Sequence, residues 1–142
     1  MNRLFFSILF CLFVLAGNAQ SKLFTTRDSL TMFCDKVMKT FTESKFSQAI
    51  QMFRQKSVLD SSTINNIDKT FNDQMAGLLP YYGKLTEYEF LEERPIKNTI
   101  SRRRYLLKFE NYFLTVDFIM YNSRLGWTIS NFNYYDNPKE LF

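Results

Sequence analysis

The sequence has no histidine, two cysteines, four glycines and three prolines among 142 residues. Each shortage closes off a class of protein. Without histidine there is no imidazole to activate a serine or cysteine and no histidine ligand for a metal. The cysteines show no zinc-ligand spacing, and no Gly-rich phosphate loop or nucleophile elbow is present. No Asn-x-Ser/Thr sequon occurs, so nothing marks a glycosylated eukaryotic secreted protein. No apolar run reaches the roughly 20 residues that a membrane span requires. Scarce glycine and proline, with no low-complexity stretch, argue against a disordered or fibrous chain.

What is present begins with an address. Arg3 supplies a positive start, Leu4 to Leu15 is almost wholly apolar, and Gly17 and Ala19 are small residues at the −3 and −1 positions of a cleavage site before Gln20. Residues 1–19 therefore read as a signal peptide, and 20–142 as a single exported domain, periplasmic or extracellular, of bacterial origin. Asn18 stands where a lipoprotein box needs cysteine, so no lipid anchor is expected there. Removing the leader takes one cysteine with it, leaving Cys34 without an intrachain partner. The domain must then hold together by its core, for which Phe, Tyr, Ile and Leu are plentiful. Losing Arg3 also lowers the formal charge from +4 to +3, too little to demand a polyanionic partner.

Helical spacing fills the first half of the mature chain. Thr25 and Asp28 suggest a capping box before Leu30, Phe33, Cys34, Val37 and Phe41. Ser44 is placed to cap a second helix with Phe46, Ala49, Ile50 and Phe53 on one face. Ser61 is placed to cap a third carrying Ile64, Ile67, Phe71 and Met75, ending near Gly77 or Pro80. From Lys84 the pattern becomes that of strands, about 84–95, 101–109, 112–122 and 127–135. The connections are too short for crossovers, so the sheet is an antiparallel meander and the fold class is α+β.

Registers follow from turn lengths. A two-residue turn at Glu110-Asn111 sets Leu107 against Leu114, Tyr105 against Val116 and Arg104 against Asp117. A four-residue loop at 97–100 sets Glu93 against Arg104, completing a charge ladder Glu93–Arg104–Asp117 on the outer face. The last hairpin pairs Asn122 with Trp127 and Met120 with Ile129. Beyond that, either a bulge shifts the register or Asn131 and Asn133 line part of the concave face.

The residues Phe46-Ser47-Gln48-Ala49, Gly77-Leu78-Leu79-Pro80, Tyr81-Tyr82-Gly83-Lys84 and Gly126-Trp127-Thr128-Ile129 carry a resemblance to the cystatin-like α+β cone of the nuclear transport factor 2-like superfamily. The likeness is to its small exported bacterial members of unknown function. It implies a bent sheet wrapped around helices over a cone-shaped pocket. Some members are dehydratases or isomerases using Asp and His; with no histidine here, that pattern has nothing to transfer to.

The expected function is thus a non-enzymatic, cofactor-free module that binds a small apolar ligand or another envelope protein. The alternative is a pocket enzyme in which Asp117 and tyrosines do acid–base work. Tyr82, Tyr88, Tyr105, Asn131 and Asn133 are the pocket candidates. Phe113, Ile119, Tyr121, Phe132 and Tyr134 form an apolar surplus on the outer face, expected to serve a homodimer interface. Arg102-Arg103-Arg104 is split between two faces by strand alternation and flanked by acids, which argues against a nucleic-acid patch. Glu87, Glu89, Glu92 and Glu93 read as strand carboxylates, those two apart sharing a face turned to solvent, and no loop converges ligands for a metal.

Overall fold

The computed structural model describes residues 22–141. The expected leader and its cleavage point lie outside them. Helix α1 spans Arg27–Thr42, α2 Phe46–Gln51, α3 Phe53–Lys56 and α4 Ser61–Tyr82. Strands β1 Leu85–Ile96, β2 Ile100–Phe109, β3 Phe113–Ser123 and β4 Gly126–Tyr135 follow, then a short 3-10 turn at Pro138–Leu141. The four strands form one antiparallel sheet in sequence order, the α+β meander that the sequence implied.

Helix boundaries differ from expectation by a residue where a better cap is adjacent. Thr26, not Thr25, caps α1, its hydroxyl accepting the Ser29 N–H at 3.2 Å. Asp60, not Ser61, caps α4, accepting the Thr63 N–H at 2.9 Å. Ser44 caps nothing: it takes a left-handed turn (φ 59°) that ends α1 by donating its N–H to the Phe41 carbonyl at 2.8 Å. Helix α4 runs through both Gly77 and Pro80, expected to stop it. Continuing the turn buries Tyr82, whose ring meets Phe109 edge-on with centroids 5.5 Å apart. Packing here outweighs the local breakers.

The α4–β1 junction is clasped by the β2–β3 turn. Gly83 leaves the helix at φ 78°, and a Cβ on it would lie 2.5 Å from the Glu110 carboxylate. That carboxylate accepts the Lys84 N–H at 3.0 Å, while the Glu110 and Asn111 N–H groups donate to the Lys84 and Tyr82 carbonyls at 3.0 and 2.9 Å.

The β2–β3 register is the one the short turn dictates: Leu107 opposes Leu114, Tyr105 opposes Val116 and Arg104 opposes Asp117. The β1–β2 register is corrected. The loop is three residues, 97–99, with Lys97 at φ 52°, so Ile96 opposes Ile100. That register brings Glu93 opposite Arg103 and Glu92 opposite Arg104, and bulges at Leu91 and Thr86 shift the pairing again toward the start of β1. In β4 a bulge at Ser130 moves Asn131 opposite Ile119 and Phe132 opposite Phe118.

That last bulge reverses two assignments. Phe132, an interface candidate, is core. Its ring stacks on Phe41 with centroids 6.1 Å apart and lies 5.1 Å from Phe53 and 5.5 Å from Phe118. Tyr134, also an interface candidate, is half-buried on the same side, edge-on to Phe71 at 4.8 Å. The outer face keeps Phe113, Ile119 and Tyr121, of which only Tyr121 is well exposed. Among the described residues no helix is long and apolar enough to cross a membrane.

Candidate functional site

Among the described residues, two buried polar clusters and an open cleft divide by what each can do.

The first lies between α1 and the β1–β2 hairpin. The Tyr105 hydroxyl donates to Asp35, and Arg103 donates to Tyr105 and to Glu93, the latter at 2.9 Å. Arg27 and Ser101 also donate to Glu93, Ser101 at 2.7 Å. The Arg103 guanidinium sits over the Phe90 ring at 4.1 Å. Every group is committed. Burial, then the bond to Asp35, pushes the Tyr105 hydroxyl far above the ordinary tyrosine range, so it is a poor base or nucleophile at neutral pH. Burial does the same to the Cys34 thiol, which stays protonated and inert. This network fastens α1 to the sheet.

Its acid sensitivity follows. Burial works against the Glu93 carboxylate, but the bonds from Ser101, Arg27 and Arg103 outweigh it and hold its pKa below the ordinary 4.5. A depressed folded-state pKa contributes stability above the unfolded value that is lost as pH falls through the folded one. Denaturation midpoints measured from about pH 6 down to 3 should therefore fall in the wild type, and the decline should be shallower in Glu93→Gln. Parallel acid limbs would remove Glu93 from the account.

The second place is on the outer face. Arg104 grips Asp117 with two parallel bonds, Nε to Oδ1 at 2.7 Å and Nη2 to Oδ2 at 2.8 Å. They are only 5% and 2% exposed. Asp117 lines neither the cleft between α4 and the end of β4 nor any free surface, and is held as an ion-pair partner. The proposed third member, Glu93, is absent from this pair because the three-residue 97–99 loop sets it opposite Arg103, on the helix side.

The third place is an open cleft of about 690 Å³, within the usual range for small-molecule sites. One wall is α4, through Asp73, Gln74, Gly77 and Leu78. The other is Leu114 with Tyr134, Tyr135 and Asp136 at the end of β4. Gly77 leaves the helix backbone bare: a Cβ there would meet nothing within 4 Å. The Tyr134 hydroxyl donates to Gln74 Oε1 at 2.8 Å, fixing two of the lining groups. Tyr82 reaches across beneath, its hydroxyl 3.4 Å from Asp136 Oδ2.

None of the five pocket candidates lines this cleft. Tyr82 stands behind it. Tyr88 and Tyr105 pack edge-on to each other at 6.0 Å. Asn131 is exposed, its side chain accepting the Phe132 N–H at 2.8 Å, and Asn133 lies opposite Asp117 on the outer face. Of the lining residues the sequence points to Gly77, Leu78, Leu114 and Tyr134, but for other roles, and to Asp73, Gln74, Tyr135 and Asp136 for none. One signal pointed to the cleft: a glycine inside a helical stripe costs about 1 kcal/mol against alanine and usually has a reason. Among the described residues no three His, Cys, Asp or Glu side chains are grouped as metal ligands.

No family model matches the chain, and no curated protein matches it. Among solved structures it is similar to an NTF2-like protein of unknown function from Shewanella baltica OS155. The two are 12% identical, with 81% of this chain and 99% of that one covered and a TM-score of 0.44.

Proposed function

We propose that the mature chain is an exported, non-catalytic binding module whose ligand seats in the cleft between α4 and the end of β4. The observation that carries this reading is an open cleft of ligand size whose α4 wall is bare backbone at Gly77, where a Cβ would stand in open space. Its walls are a long helix and a sheet, so it is held ready rather than assembled on binding. The acid–base alternative loses its carboxylate, since Asp117 is bound by Arg104 on the other face of the sheet.

The test uses Gly77→Phe, which a helix accommodates and which places a ring in the cleft. Saturation-transfer NMR on the exported protein with small aromatic amines, acids and alcohols should show signals that vanish in this variant. Circular dichroism confirms that it is folded. A panel with no Gly77-dependent binder overturns the reading.

The address rests on Arg3, the apolar stretch Leu4 to Leu15, and Gly17 and Ala19. Expressed with its own leader in a bacterial host, the protein should be recovered outside the cytoplasm beginning at Gln20. An intact mass that still includes Met1 speaks against export.

A further inference from the structure

Resting on the cleft as ligand seat, we infer a class of ligand: an organic cation, an amine or quaternary ammonium carrying an apolar body. Carboxylates close the cleft on both walls, Asp73 from α4 and Asp136 after β4, and no lysine or arginine is among the lining residues. On a chain whose formal charge is +4 this is a local reversal of sign. Anions are turned away and cations drawn in.

Neither carboxylate is held by a buried charge. Asp73 pairs with Lys69 one turn back on the helix, with both side chains mostly in water, a contact that a ligand cation can exchange at little cost. Asp136 has the Tyr82 hydroxyl at 3.4 Å, a long bond to a neutral donor.

The remaining lining sets the rest of the ligand. Leu78 and Leu114 are apolar, and Tyr134 adds an aromatic ring to the lining that also holds the two carboxylates. A ring and acids lining one cleft attract an ammonium group through both charge and the π face. Tyr134 is held for that work, edge-on to Phe71 at 4.8 Å and bonded to Gln74. A bare metal ion fits poorly, because calcium takes six or more oxygens and two separated carboxylates do not supply them.

Calorimetric titration of the exported protein with benzyltrimethylammonium, benzyl alcohol and phenylacetate decides the matter. The cation should bind at least about tenfold more tightly than the alcohol, and the acid least. Asp73→Asn combined with Asp136→Asn should abolish that preference and leave the alcohol unchanged. Gly77→Phe should abolish both. If cation and alcohol bind alike and both depend on Gly77, the ligand class is wrong and the seat stands. If no probe binds in a Gly77-dependent way, both fall. A cation preference that survives the double asparagine variant overturns the assignment of these carboxylates.

Discussion

Replacing Phe132 by alanine is expected to destabilise the domain by about 3–5 kcal/mol, while Ile119→Ala, one row along the sheet, costs about 1 kcal/mol or less. Phe132 is 4% exposed and touches the rings of Phe41, Phe53 and Phe118, which belong to α1, α3 and β3. Truncation opens a cavity where three elements converge, and none can close it without leaving the others. Ile119 stands half-buried on the opposite face, where loss of its methyl groups leaves no enclosed void. Urea midpoints of the two variants read the difference directly. Equal losses would falsify the bulge at Ser130, because regular pairing from Met120–Ile129 places Phe132 on the face of Ile119.

The second large effect concerns Arg104. Were the pair solvated, as an outer strand face normally is, Arg104→Ala would cost about 0–1 kcal/mol. It is not solvated: Thr115, Asp117 and Thr128 on this face are as buried as the core, and Arg104 nearly so. Removing the guanidinium strands a carboxylate 2% exposed, for which a loss of about 3–5 kcal/mol is expected. The double change Arg104→Met with Asp117→Leu should recover much of it, since a buried ion pair replaced by apolar groups of similar volume is often neutral. Denaturation of the singles and the double in one cycle separates the two contributions. An Arg104→Ala loss below about 1 kcal/mol would mean that water reaches Asp117 freely.

The helices-then-meander order was legible because period and connection length leave few choices. So was the β2–β3 register: the Glu110-Asn111 turn is too short to be read two ways, and it sets Arg104 against Asp117. The β1–β2 register was not. Its loop can be counted as three residues or four, and Thr86 and Leu91 bulge without any glycine to announce them. One residue of slip moved Glu93 from the outer ladder to the α1 latch, since side chains alternate faces. In β4 the alternation of Asn131 and Asn133 with Phe132 and Tyr134 hinted at the bulge, and burying the aromatic pair decided it. The cleft was beyond reach because its walls come from α4 and the end of β4, segments that pattern alone does not bring together. Only Gly77 carried a trace of it.

The clasp around Gly83 bears on how the molecule can come apart. Lys84 and Tyr82, where helix gives way to sheet, are held by Glu110 and Asn111 from a turn two strands later. The helical half thus borrows its terminus from the sheet half. A protein divided so plainly by composition has no seam at the division, and heat should melt it in a single cooperative step.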